Sequence, residues 1–163
     1  GRPLTPELRD DYRQMFSTIF TDYYLFDDLN LPDGVLPDEA RRYLDELEIA
    51  HKVSVKDGRF TTTDLSTGQR KRLALVHAWL EGRPVLVFDE WAADQDPEFR
   101  RIFYTELLPA LKAQGRTIIA ISHDDRYFHI ADRHIRMQGG RVIAADGPDQ
   151  DAPQAEPRPA RAG

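Results

Sequence analysis

Two short apolar runs constrain what this sequence can fold into. Val85-Leu-Val-Phe88 passes directly into Asp89 and Glu90, and Thr117-Ile-Ile-Ala-Ile-Ser122 passes into His123. Short apolar runs bounded by turn signals are the pattern of buried strands in a parallel sheet. Between them, residues 96–114 carry Phe99, Ile102, Phe103 and Leu107 at helical spacing, and Pro109 is expected to kink or interrupt that helix near its end. Residues 125–131 read as a further short helix, and Gly139-Gly140 as the turn of a terminal hairpin. Strands alternating with helices predict an α/β fold with a mainly parallel, helix-covered sheet.

Upstream, the aromatic run Phe16-Ser-Thr-Ile-Phe-Thr-Asp-Tyr-Tyr-Leu-Phe26 fits a buried strand leading into a loop. Residues 37–82 read as mainly helical. One helix opens at Asp38, with Tyr43, Leu44, Leu47 and Ala50 on its apolar face. Asp57-Gly58 supplies the positive φ angles of a tight turn, so residues 53–60 read as a small hairpin. A second helix follows Leu65-Ser-Thr-Gly-Gln69, with Leu73, Val76 and Leu80 on its apolar face beside Ala74 and Ala78; Gly82 and Pro84 end it. Residues 146–163 hold four of the 11 prolines and none of Val, Ile, Leu, Met, Phe, Trp or Tyr, and read as a disordered tail. The folding sequence is therefore 1–145, in three parts: 1–30, 31–82 and 83–145.

Composition excludes several function classes. With no cysteine among 163 residues, disulfide scaffolds, thiolate metal sites and thiol nucleophiles are ruled out. A net charge of −6 argues against a general nucleic-acid surface. The apolar runs fall far short of the ~20 residues of a membrane span. The sequence starts at Gly1, and its only methionines are Met15 and Met137, so either a processed chain or a piece of a longer protein is expected.

Four places carry chemistry. Small residues before the second helix free backbone N–H groups at its N-terminus, where the macrodipole favours a phosphate; Ser66 could contact one, and Gly68 lets it approach. Ser66 as a plain helix cap is the alternative. Asp89 and Glu90, at the carboxyl end of a strand, can hold Mg²⁺ and orient or deprotonate a water, or simply be solvated. Asp96, followed by Pro97 and Glu98, is explained by N-cap chemistry alone. His123 can donate to a phosphate oxygen or be structural. His51, His77, His129 and His134 are assigned no role.

Taken in series, these segments closely resemble the second half of an ATP-binding-cassette nucleotide-binding domain. Leu65-Ser-Thr-Gly-Gln69 is similar to that family's signature motif, with Thr67 where glycine is usual. Residues 85–89 resemble its Walker B strand, Glu90 its catalytic glutamate, residues 94–96 its D-loop and His123 its switch histidine. The segment Phe20-Thr-Asp-Tyr-Tyr-Leu-Phe26 resembles the surroundings of the Q-loop, with Thr21 about where the glutamine would stand. Thr21-Asp-Tyr-Tyr-Leu-Phe-Asp27, Asp89-Glu-Trp-Ala-Ala-Asp-Gln-Asp-Pro97 and Ile121-Ser-His-Asp-Asp125 resemble the bacterial exporters of cyclic peptides and peptide siderophores. Trp91-Ala-Ala93 in place of Pro-Thr-Ser is the most telling of these features.

The resemblance implies a P-loop-NTPase-like parallel sheet with a helical signature subdomain, and the cofactors ATP and Mg²⁺. It also implies a head-to-tail pair of such domains, a membrane domain on the same protein, and a place on the cytoplasmic face of the bacterial inner membrane. Ser66, Gly68 and Gln69 would then meet the γ-phosphate of ATP held by the partner. Asp89 would support Mg²⁺, Glu90 would polarise the attacking water, His123 would contact the γ-phosphate, and Asp96 would relay state across the dimer. A P-loop requires Gly-x-x-x-x-Gly-Lys-[Ser/Thr]. None of Lys52, Lys56, Lys71 and Lys112 follows a glycine or precedes Ser or Thr, so that element is missing here. These residues alone are therefore expected to be inactive. Two other readings stay open: the C-terminal lobe of a chromosome-maintenance or DNA-repair ATPase, and a non-catalytic regulatory module.

Overall fold

The computed structural model describes residues 4–21, 25, 28–29 and 38–146, apart from the side chains of residues 39 and 40. The opening Gly-Arg-Pro, most of the segment likened to the Q-loop surroundings, and residues 147–163 of the expected tail lie outside the described residues. There are two compact units, Gly1–His123 and Asp124–Gly163.

The first unit is built on a parallel sheet of three strands, β1 (Phe16–Ile19), β4 (Val85–Asp89) and β5 (Thr117–Ile121), in the order β1-β4-β5. Ser17 pairs with Leu86 and Ile19 with Phe88; Leu86 in turn pairs with Ile118 and Phe88 with Ala120. Because side chains alternate along a strand, this register puts those six residues on one face. Ser17, Ile19, Leu86 and Phe88 are all buried on it. Phe88 meets Trp91 and Phe103 edge-on, at ring-centroid distances of 6.3 and 5.3 Å, and Trp91 stacks on Phe103 at 4.2 Å. On the opposite face Val85 and Val87 are only half-buried, and Ile119 and Ile121 are 45% and 51% exposed. The expectation of a buried second strand is therefore corrected: among the described residues β5 is an edge strand in which Ile118 is half-buried and Thr117, Ile119, Ala120 and Ile121 are exposed.

The helical part precedes β4. α1 (Arg9–Arg13) is exposed throughout, and α2 (Asp38–Glu46) buries Tyr43 and Leu44. Ala50 is exposed, whereas Ile49 is fully buried. The reason is that α2 ends at Glu46 and Glu48 turns the chain through φ +55°, so the helical period that pointed to Ala50 no longer applies. β2 (Val55–Lys56) and β3 (Arg59–Phe60) form the expected hairpin, with Asp57 at φ +52° and Gly58 at +74°.

α3 (Thr67–Leu80) is the central helix. Leu73, Leu75 and Val76 are wholly buried, and Lys71 and Arg72 are buried with them. The helix after β4 is one rod with a defect: α4 (Pro97–Ile102), a π-helical stretch Phe103–Leu107, then α5 (Leu108–Ala113). Pro109 has no N–H to return to Thr105, and its ring crowds that carbonyl. The expected interruption takes the form of a widened turn, in which Leu108 N–H reaches back to Phe103 O.

The short helix expected over residues 125–131 is a 3₁₀ helix, Asp125–Ile130, in the second unit. β6 (His134–Gln138) and β7 (Arg141–Asp146) then form the terminal hairpin around Gly139 and Gly140, both at positive φ. Asp146, expected as the first tail residue, is the last residue of β7 and pairs with His134.

Candidate functional site

Two of the expected residues meet where β4 and β5 end. β4 stops at Asp89, and Glu90 then enters the left-handed region at φ +50° before the 3₁₀ turn Trp91–Asp94. That conformation is unfavourable for a side chain as large as glutamate and persists only where neighbours hold it. Here Glu90 N–H donates to Ile121 O (3.1 Å) and Glu90 O accepts from Ala93 N–H (3.1 Å). The result turns the Glu90 carboxylate toward His123, whose Nδ1 lies 3.0 Å from Oε1 and 2.9 Å from Oε2. Thr21, just past β1, donates from its hydroxyl to Asp89 O at 3.1 Å. The carboxyl ends of all three parallel strands thus converge on one edge, the place where open α/β sheets bind ligands.

A second cluster lies at the start of α3. Ser66 Oγ accepts from Gln69 N–H, and Gln69 Oε1 accepts from Ser66 N–H, each at 3.3 Å, completing a reciprocal capping box. The cap reading of Ser66 is therefore realised, and among the described residues Ser66 and Gln69 bond to each other rather than to the acids. Gly68 faces the loop after β4: a Cβ built there would lie 2.8 Å from Asp94 O. Gly68 O accepts from Gln95 Nε2 at 3.1 Å. The glycine thus has a role inside the fold, the close approach of helix to loop, besides any approach by a phosphate.

Asp96 caps α4 by accepting from Phe99 N–H at 2.9 Å and also pairs with Arg72 Nη2 at 2.8 Å. Its carboxyl is held below the usual aspartate range, first by the Phe99 amide and then by the Arg72 charge, against some desolvation.

Sequence reasoning missed the groups that join these clusters. Arg72 bonds Gln95 Oε1 (3.0 Å), Leu47 O (3.2 Å) and Asp96, and lies 3.4 Å above the Phe99 ring. Lys71 pairs with Asp94 Oδ2 (2.8 Å) and donates to Glu90 O (3.1 Å). Arg100 donates to Ala93 O, to Gln95 O and to Ala92 O, the last of which also accepts from Gln95 N–H in the 3₁₀ turn. The available signal was the run of three cations, Arg70-Lys71-Arg72, leading into the apolar stretch Leu73–Val76, since such charges stay buried only when paired.

Among the described residues, no group of three or more His, Asp or Glu side chains is placed to hold a metal ion. A single carboxylate such as Asp89 at a strand end suits Mg²⁺ that brings most of its ligands as waters and phosphate oxygens.

The family model described as ABC transporter matches residues 1–93, more than half of the sequence. The chain belongs to the ABC transporter family. It is 50% identical over 148 residues to the ATP-binding protein SyrD of Pseudomonas syringae pv. syringae, covering 88% of this chain and 26% of that protein. Over 105 residues it is 31% identical to the macrolide export ATP-binding/permease protein MacB of Campylobacter jejuni subsp. jejuni, covering 64% of this chain and 15% of the relative. It therefore spans about a quarter or less of these relatives. Among solved structures, cbiO1 from Clostridium perfringens, part of the ABC transporter complex cbiONQ, superposes with a TM-score of 0.63 at 26% identity, over 86% of this chain and 60% of that one. A bacterial Atm1-family ABC exporter with ATP bound shares the fold at TM-score 0.67 and 21% identity, over 85% of this chain and 26% of that one. The expected ABC ATPase fold and its parallel sheet are thus present. Among the described residues, no helix of this ABC chain is long and apolar enough to cross a membrane.

Proposed function

We propose that these residues are the later portion of an ABC nucleotide-binding domain that drives export across the bacterial inner membrane from its cytoplasmic face. It would work with a second such domain, head to tail, and with a membrane domain of the same exporter. The observation that carries this reading is the Glu90–His123 pair beside Asp89 at the carboxyl edge of the sheet. The relative named for macrolide export supports export, and the resemblance of residues 21–27, 89–97 and 121–125 to cyclic-peptide and peptide-siderophore exporters supports a peptide cargo.

Bound nucleotide would supply the phosphoryl group, with Mg²⁺ neutralising its charge. Of the protein groups, Asp89 would hold the ion, and Glu90, held by His123, would orient and polarise the attacking water. His123 would then donate to the terminal phosphate. Ser66, Gly68 and Gln69 would present the N-terminus of α3 to the nucleotide of the partner domain, and Asp96 would link the α4 cap to that interface through Arg72. The open apolar face of β4 and β5 supports the portion reading, because a further layer, bringing the P-loop, would cover it. The test is ATP turnover by the native protein that carries these residues. Glu90→Gln is expected to reduce it to a small residual rate, and the 163 residues alone are expected to turn over negligibly. Wild-type turnover by Glu90→Gln, or rapid turnover by these residues alone, would overturn the proposal.

A further inference from the structure

We infer that Lys71 is a positioning residue for Glu90. The inference rests on the functional reading of Glu90 above, but its geometry stands independently. Lys71 is completely buried, 0% exposed, in the middle of a helix otherwise lined by Leu73, Leu75 and Val76. Burying an ammonium group is costly, and a buried ion pair is a weak source of stability even when well paired. Its placement therefore calls for an explanation other than stability, and its partners supply one.

The Nζ donates to Glu90 O at 3.1 Å and pairs with Asp94 Oδ2 at 2.8 Å. In return, the indole N–H of Trp91 donates to Lys71 O at 3.1 Å. The peptide unit between Glu90 and Trp91, and the side chain that follows it, are thus bracketed from both sides by one residue of α3. That bracket acts on a backbone in the left-handed region. Without it, the Glu90 turn would relax toward the commoner helical or extended regions, and the carboxylate would swing away from His123. Trp91 is fixed in turn by stacking on Phe103, so the bracket has a rigid base. The charge on Asp94 keeps the ammonium aimed at the turn. By this geometry, the helix that starts at Ser66 also sets where Glu90 points.

The test uses the native protein and Lys71→Met, which keeps an unbranched stem of similar length while removing the charge. Lys71→Met is expected to lower kcat for ATP at least tenfold with KM within twofold. It is expected to leave the residual rate of Glu90→Gln unchanged, since a group acting through Glu90 has nothing left to act on. A structural role alone would lower the rate by the same factor in both backgrounds, and that result would overturn the inference. A second readout needs no turnover. The Glu90 and Ala93 amides should exchange with solvent at least tenfold faster, while Leu75 and Val76 within α3 stay protected. Unchanged exchange at Glu90 and Ala93, or equal loss of protection along α3, would also overturn it. Should Lys71→Met fail to fold, Asp94→Asn carries the same readouts with smaller expected changes, and no change in them counts against Lys71. If the unmodified native protein does not hydrolyse ATP, the functional reading fails by itself and the exchange comparison still decides on Lys71.

Discussion

The two faces of the three-stranded sheet are made of similar residues and have opposite fates. One face carries Leu86 and Phe88 from β4 with Ile19 from β1, all buried, Phe88 against the Trp91 and Phe103 rings from the segments after β4. The other carries Val85, Val87, Ile119 and Ile121, and stays partly or largely open. Apolar side chains drive folding only where something covers them, at about 25 cal/mol per Å² removed from water. Equal hydrophobicity on the two faces therefore does not mean equal contribution. The structural weight of this unit sits on one side of the sheet, and so do the clamps that shape the site.

The largest expected effect tests the covered face. Phe88 is 1% exposed and touches both Trp91 and Phe103. Phe88→Ala should cost about 3–5 kcal/mol, from lost transfer energy and a residual cavity. Chemical denaturation would show a lower midpoint, and a loss under about 1 kcal/mol would mean that this face is not the core.

Next in size is the contact that sets α3 against the loop after β4. Gly68→Ala places a Cβ 2.8 Å from a backbone oxygen, which cannot give way as a flexible side-chain end would. The cost of such overpacking is about 1–3 kcal/mol, reduced by the better helix propensity of alanine. A thermal melt that rises instead would show that the loop retreats freely.

How much of this was legible in the sequence depends on how far apart the interacting residues lie. Local devices were readable: the Asp57-Gly58 turn, the Ser66 and Asp96 caps and the Gly139-Gly140 hairpin each lie within a few residues of what they fix. The Glu90–His123 meeting was partly readable, since two strand ends in one parallel sheet share an edge. Lys71 and Arg72 were not, because their partners lie 19 to 25 residues away and a cation in a helix looks solvated until packing is known. The openness of Ile119 and Ile121 was unreadable for a different reason. An apolar run says that a strand prefers cover, not that the residues at hand provide it.

A smaller effect sharpens the comparison at the polar rim. Asp96→Ala removes the α4 cap and one partner of Arg72, and should cost about 1 kcal/mol at neutral pH. Because the folded state holds the Asp96 carboxyl below the ordinary value of about 3.9, its contribution is fully present above that value. It is lost as pH falls through the lower folded value, where the carboxyl takes up a proton in both states. The difference between wild type and Asp96→Ala should therefore be flat from pH 7 to about 5 and shrink below about 4. Measuring unfolding free energy across that range checks both the sign and the window.

The smallest expected effect is the one most able to break the comparison. Ile119→Thr and Ile121→Thr keep β-branched residues suited to a strand while removing apolar surface from the open face. Both positions are about half exposed, so in these 163 residues each change should alter stability by no more than about 0.5 kcal/mol. At the same time, self-association should fall, because an exposed apolar face on an edge strand invites pairing between copies. Sedimentation at increasing protein concentration would register the second effect and denaturation the first. A loss approaching that of Phe88→Ala would mean that another copy, or another part of the protein, already covers this face in solution. The two faces would then be equivalent after all, and the weight assigned to the Phe88 side would have to be shared.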